Sequence, residues 1–387
     1  MIAADRPSRS DGTLWSVRMA DSMLSRHPVS CMRWRYEDGF LVKAIEQVGH
    51  LSGEPRYWKA VVDYVDRLVE PDGSISTYRL ADYNLDQLNP GRLLFPVYQA
   101  SGEERYQRAI ALLREQLRRQ PRTHVGGFWH KLIYPSQMWL DGIYMASPFY
   151  AQYAATFDDP AAFDDIAHQI ITIEQRTRDP VTGLLYHAWD ESRRQRWCNP
   201  STGCSPHFWS RAMGWYVMAL VDVLDYLPAG YPQMAPIVAI LERTMHALLA
   251  VQDPATGLWY QVLDQGDRPG NYLEASGACM FVYAMAKAVR LGHLPRRWLD
   301  VARRSYRGIL EHFVRVNPLG EINLHGICGM AGLGGDPYRD GSYEYYVTEK
   351  VVTNDPKGAA AFMLMAVEME QDSPPSAVQG VPRAQAG

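Results

Sequence analysis

Hydrophobic residues recur at helical spacing along nearly the whole chain. Phe40, Leu41, Ala44, Ile45 and Val48 share one face, as do Trp58, Val61, Val62, Val65 and Leu68. The same period predicts helices over 13–26, 90–101, 103–119, 136–157, 160–176, 208–227, 232–250, 272–291, 297–315 and 354–370. Strand-like alternation is confined to short pieces, SISTYRL at 74–80 and LLYHAW at 184–189. Segments 136–157 and 208–227 are apolar nearly all round, as helices covered on most sides must be.

The helical pattern repeats. RDPVTGLLYHAWD (178–190) and QDPATGLWYQVLD (252–264) share D-P-x-T-G-L-x-Y, and EPDGSISTY (70–78) is a weaker copy. Glycine turns recur at Gly73, Gly127, Gly183, Gly257 and Gly320, a period of roughly 60 residues that holds two helices and a turn. Six such units fit the chain, so the array is predicted to close into an all-α (α/α)6 barrel. An open solenoid has the same local signature, but its end repeats should be polar caps, and neither end reads that way. The turns, with their short β pieces, are expected to gather at one mouth. Trp129, Trp139, Trp189, Trp197, Trp209, Trp215 and Trp259 cluster near them, either as core or as stacking surface for sugar rings.

Composition narrows the class. The chain has 387 residues, 47% of them hydrophobic, and no linker before 371. One domain over 1–370 is expected, followed by a disordered polar tail at 371–387. The net charge of −4, with basic residues scattered, argues against nucleic-acid binding. No apolar run is long enough to span a membrane. The start MIAADRPSRSDGTLWS lacks the apolar region of a secretory signal, which leads to a cytoplasmic expectation. Five widely spread cysteines read as reduced thiols. No His/Cys cluster completes a metal site, so no metal or cofactor is expected. The oligomeric state is not readable.

Several residues stand out against this frame. Asp141 lies in the apolar and aromatic run FWHKLIYPSQMWLDGIYMASPFY (128–150), just after His130 and Lys131. On a 136–150 helix it sits beside Met138, Leu140, Ile143, Tyr144 and Phe149. An acid there must be paired, hydrogen-bonded or kept for proton transfer. Asp86, in YNLDQLNPGR, reads either as a site acid or as a helix N-cap. His187, with Trp189 and Asp190, reads as functional or as a solvated loop tip. Arg211 and Trp215 are i, i+4 neighbours on an apolar helix, where an arginine needs either an internal acid or a substrate carboxylate. The glycine- and tyrosine-rich stretch 325–346 lacks G-x-x-x-x-G-K-[ST] and reads as a lid or site wall. No G-x-S-x-G elbow occurs either.

Together WRYEDGF (34–40), YNLDQLNPGRLL (83–94), PRTHVGGFWHK (121–131), QMWLDGIYMASPFY (137–150), GLLYHAWD (183–190), FWSRAMGWYVMAL (208–220) and YRDGSYEYY (338–346) carry a resemblance. The chain resembles the unsaturated rhamnogalacturonyl hydrolases of glycoside hydrolase family 105 over residues 14–370, with the unsaturated glucuronyl hydrolases as more distant relatives. The resemblance implies an (α/α)6 barrel that works without a metal on a small oligosaccharide ending in a 4,5-unsaturated uronic acid. It implies Asp141 as catalytic acid/base and Asp86 as a second catalytic carboxylate. It implies His130, Lys131, His187, Arg211 and Trp215 as substrate-binding residues, with Tyr36 a further member.

The chemistry explains those residue types. The C4=C5 bond beside the ring oxygen is an enol ether. Protonation at C4 places positive charge at C5, water adds there, and the resulting hemiketal opens to release the next sugar. One carboxyl can give the first proton and take one from water, whereas an ordinary glycosidase needs two. The rivals are a two-carboxylate inverting glycosidase or polysaccharide lyase that uses Asp86 with Asp141, an unsaturated glucuronyl specificity, and a non-catalytic helical-repeat protein.

Overall fold

A computed structural model describes residues 13–371, so the first twelve residues and the predicted tail after Gln371, which ends the last helix, lie outside the described part. It contains α1 (Trp15–Arg26), α2 (Tyr36–Ser52), α3 (Pro55–Leu68), α4 (Leu94–Ser101), α5 (Glu104–Arg119), α6 (Leu140–Phe157) and α7 (Pro160–Thr177). These are followed by α8 (Ser210–Leu224), α9 (Met234–Ala250), α10 (Ala275–Arg290), α11 (Arg297–Phe313), the short α12 (Tyr343–Thr348) and α13 (Pro356–Gln371). Contacts close into a ring: α2 packs on the 3₁₀ stretch Leu85–Leu93 that leads into α4, then come α6, α8, α10, α13 and α2 again. Around it α3, α5, α7, α9, α11 and α1 each back one inner segment. The fold is therefore the expected (α/α)6 barrel, closed by α1 and α13. Glu370 of α13 accepts hydrogen bonds from the Trp15 N–H (2.6 Å) and the Ser16 hydroxyl (2.5 Å).

Patterning explains the two layers. Every residue of α8 is buried, as are nearly all of α10 and α13 and most of α6. The outer helices keep one apolar face; in α3 that face is Tyr57, Ala60, Val61, Tyr64, Val65 and Leu68. The D-P-x-T-G-L repeat is one turn used twice. Asp179 accepts from the Thr182 N–H and hydroxyl, and Asp253 does the same with Thr256. Gly183 (φ 75°) and Gly257 (φ 72°) supply the left-handed residue each turn needs. In the second glycine turn that residue is Gly126 (φ 90°) rather than Gly127.

Three local expectations are corrected. Segment 136–157 is not one helix: Gln137–Trp139 form strand β1, paired antiparallel with Ala188–Asp190 (β2), and the helix begins only at Leu140. Cross-strand pairing at the barrel mouth overrides the helical period there, and it moves Asp141 into the first turn of α6. SISTYRL forms no strand, because Thr77 (φ 67°) turns the chain after a single Val69–Ile75 bridge. Helix 90–101 starts as the 3₁₀ stretch, whose tighter winding accommodates Pro90. Two small antiparallel pairs, Val314–Val316 with Ile322–Leu324 and Ile327–Cys328 with Val351–Val352, were not foreseen. All five cysteines are free thiols, and no helix among the described residues is long and apolar enough to cross a membrane.

At the end of the barrel where the inner helices finish lies a buried charge cluster. Asp222 accepts from Arg92 Nη2 (2.9 Å), the Tyr283 hydroxyl (2.6 Å) and Lys287 Nζ (2.7 Å). Arg92 Nη1 also donates to the Tyr144 hydroxyl at 3.0 Å. Burial pushes the Asp222 carboxyl up, but Lys287 and Arg92 outweigh it and hold the group well below the usual carboxylate range.

Candidate active site

At the other mouth, where the inner helices begin, stretches around 34–37, 84–87, 130–145 and 330–339 enclose a cavity of about 360 Å³. Of the residues expected at the site, Tyr36, Asp86, His130, Lys131 and Asp141 line it.

Asp141 is the second residue of α6, so its carboxylate lies at the positive end of that helix. Its Oδ2 is 3.1 Å from His187 Nε2, close but off the line of a hydrogen bond. His187 is wholly buried rather than a solvated tip, and its Nδ1 meets the Tyr346 hydroxyl at 2.8 Å. A phenol that donates to Nδ1 leaves Nε2 as the ring's N–H, facing Asp141. Burial pushes the Asp141 carboxyl up, but His187, then His130 and the residue's own N–H, outweigh it and hold the group below its ordinary value.

Asp86 is not an N-cap. Asn84 takes that role, its side chain accepting from the Asp86 N–H at 3.0 Å. The Asp86 carboxylate instead meets Lys131 Nζ at 2.6 Å and stands 3.5 Å from His130 Nε2. Burial works against the Lys131 charge, but Asp86 outweighs it and raises the ammonium. Burial carries His130 the other way, down to about 4, so its ring is neutral near pH 7. That ring stacks on Trp139 at 4.7 Å, and Tyr134 stacks on the same indole at 4.8 Å. Trp139 in turn sets its edge against His187 at 5.3 Å.

Three expected residues stand behind the cavity wall. Besides His187, Trp215 is 1% exposed, stacks on Tyr144 at 4.9 Å and meets Phe40 edge-on at 4.9 Å. Arg211 makes no direct ion pair among the described residues; the internal acid that acts on its charge is the buried Glu274, linked to it through Ser276. It donates to the Cys328 carbonyl, to Ser276 Oγ (3.4 Å) and to the Gly329 carbonyl (3.5 Å), pinning the chain just before Met330 and Ala331 at the cavity. The backbone curls back over the start of α8, and its carbonyls take the direct hydrogen bonds.

The Glycosyl Hydrolase Family 88 model matches residues 15–372. A solved family 105 glycoside hydrolase from Clostridium acetobutylicum is 45% identical, covering 93% of this chain and 100% of that one with a TM-score of 0.90. The chain belongs to the family 88/105 glycoside hydrolases. It is also similar to the unsaturated rhamnogalacturonyl hydrolase YesR of Bacillus subtilis, 25% identical over 264 residues that make up 67% of this chain and 72% of that one. The unsaturated glucuronyl hydrolase of Bacillus sp. GL1 shares the fold at a TM-score of 0.67 and 12% identity.

This family 88/105 hydrolase adds cavity residues that pattern reading did not single out. Glu37, from WRYEDGF, is a third carboxyl, and burial raises it above its ordinary value. Tyr134 and Arg339 also line the cavity. Their only signal was position, inside the FWHK…QMWLDG run and the glycine-rich stretch. Gly142 matters by what it lacks: a Cβ there would stand 2.9 Å from His130 Nδ1 and 3.2 Å from Leu85 Cδ1. Gly142→Ala should leave the melting temperature nearly unchanged, because alanine favours the helix. It should displace the His130 ring and lower kcat/KM by about ten- to hundredfold. An unchanged kcat/KM would show that the His130 position is not critical.

Proposed function

We propose that this glycoside hydrolase hydrates the C4=C5 bond of a terminal unsaturated uronic acid and thereby releases the neighbouring sugar. The observation that carries this reading is the unequal placement of the two expected carboxylates. Asp86 is committed to Lys131, while Asp141 faces the cavity with only an off-line histidine beside it. Of that pair only Asp141 is left free for proton transfer, which fits hydration better than a displacement shared between the two. In this scheme Asp141 protonates C4 and then accepts a proton from the water that adds at C5. Asp86 and Lys131 orient the ring hydroxyls, and Trp139, covered by His130 and Tyr134, holds those two rings in place at the wall. The His187–Tyr346 pair fixes the Asp141 carboxyl.

The inner helices all start at this mouth, so their N-terminal dipoles favour an anionic substrate there. Unsaturated galacturonyl-rhamnose, a product of pectin lyase action, is the substrate we favour, supported by the similarity to YesR. The test follows the ultraviolet absorbance of the conjugated double bond while the enzyme meets that disaccharide. The reading expects absorbance to fall in step with free rhamnose. New reducing ends with the absorbance intact would favour ordinary hydrolysis instead.

A further inference from the structure

A second cleft, about 520 Å³ in volume, lies between the end of α7 with its D-P-x-T-G-L turn and the loop 197–206. It shares no lining residue with the catalytic cavity. Two of its walls are cationic. Arg176 sits over the Trp189 ring at 5.0 Å and has no carboxylate within ion-pair distance among the described residues. Arg178 reaches Glu174 only at 3.7 Å, and Arg243 already holds that carboxylate at 2.7 Å. Arg196 adds a third cation beside the lining residue Trp197, stacked on Tyr338 at 4.2 Å and likewise without a carboxylate partner. Against them the cleft is lined by one acid, Asp179, which is tied into its own turn by Thr182. Positive charge is therefore in excess, and an anion is the ligand it favours.

The far side of the cleft is held in shape before any ligand arrives. Asp190, wholly buried, accepts from the N–H groups of Ser192, Arg194 and Gln195 and so fixes the loop that carries Arg196 and Trp197. Gly203 closes its base, where a Cβ would collide with the Asp190 carbonyl. Two neutral groups complete the lining. Tyr186 is half-buried, its ring stacked on Phe208 at 4.4 Å, and Asn199 spends its amide oxygen on the N–H groups of Ser201 and Thr202. The Asn199 NH2 is left for a ligand. A ring face, an amide donor and unneutralised guanidinium groups suit the C–H face, hydroxyls and carboxylate of an acidic sugar. We propose that this cleft binds an acidic oligosaccharide, its uronate carboxylates held by Arg176 and Arg178, as a holding site apart from the catalytic cavity. The choice of a uronate rests on the hydration reading, whereas the site itself does not.

The probe is tetragalacturonate, which has no C4=C5 bond and so cannot be consumed by hydration. Calorimetry should show it binding to the wild-type protein, with added salt eroding the affinity. The double variant Arg176→Gln/Arg178→Gln should weaken binding by about tenfold, and Arg176→Lys/Arg178→Lys should retain part of it. Neutral maltotetraose and a single-stranded DNA tetramer should bind far more weakly. Turnover of unsaturated galacturonyl-rhamnose should be the same in the wild type and both double variants, and tetragalacturonate should not compete with it. No binding of tetragalacturonate, undiminished binding in the glutamine variant, or equal binding of the neutral or DNA probe would overturn the proposal. So would competitive inhibition with a constant equal to the calorimetric Kd, which would put the probe in the catalytic cavity. A wild-type enzyme that leaves the unsaturated disaccharide intact would bring down the hydration reading alone, because the calorimetric comparison still decides the cleft.

Discussion

Replacing Asp141 by asparagine is expected to lower kcat/KM by on the order of a thousandfold while the barrel stays folded and the ligand still binds. The amide keeps the shape and the contact with His187 but can neither deliver a proton to C4 nor take one from water. Glu37→Gln is the control, since Glu37 is the cavity acid that burial raises. It should cost far less if Asp141 is the catalyst, and a reversal of the two effects would move the acid role to Glu37. The pH profile adds a second readout. In the free protein His187 and its neighbours hold the Asp141 carboxyl low, so its protonated form declines early as pH rises. A bound uronate places a negative charge beside it, which favours the protonated form. The alkaline limb of kcat should therefore lie at higher pH than that of kcat/KM. Coincident limbs would mean that the substrate charge does not reach Asp141.

Asp222→Asn is expected to produce the largest loss of stability, about 3 to 5 kcal/mol. The carboxylate balances Arg92 and Lys287, each 5% exposed; Lys287 also reaches Asp225 at 2.6 Å, so the amide would leave Arg92 as a buried cation without a carboxylate. For a chain of this length that corresponds to a fall in melting temperature on the order of 5 °C. The sign with pH follows from the depressed carboxyl. Its contribution is fully present above the unfolded value of 3.8 and is lost as pH falls below it. The wild-type and Asp222→Asn melting temperatures should thus converge in acid. Replacing Asp222, Arg92 and Lys287 together by apolar residues should cost less than the single change, since the one charge left without its partner, Asp225, is a third exposed to water. A single change with no measurable effect would show that water already reaches the cluster.

The helical period and the repeated D-P-x-T-G-L turn made the double ring legible, because both are local and recur. What they missed lies at the mouth. Met138 falls on a helical period, yet pairing with Trp189 makes it a strand residue, and such cross-chain pairing has no local signature. Asp141, Asp86, His130 and Lys131 were legible as charges in an apolar or aromatic setting. Arg211 was legible as an arginine in need of partners, but not the partners themselves. Two carbonyls more than a hundred residues away satisfy it. Arg339 was hidden for the opposite reason: charged residues in loops are ordinary, and only its place at the cavity sets this one apart.

The seam between α1 and α13 has a consequence for biosynthesis. The buried faces of α2 and α10 wait for α13, and the cavity wall is unfinished until residues 330–339 have been made. A nascent chain lacking its last inner helix therefore carries apolar surface along an open cleft and has no complete site. Closure joins segments about 350 residues apart and is entropically slow. Catalytic competence thus arrives late and all at once, with the docking of the final helix.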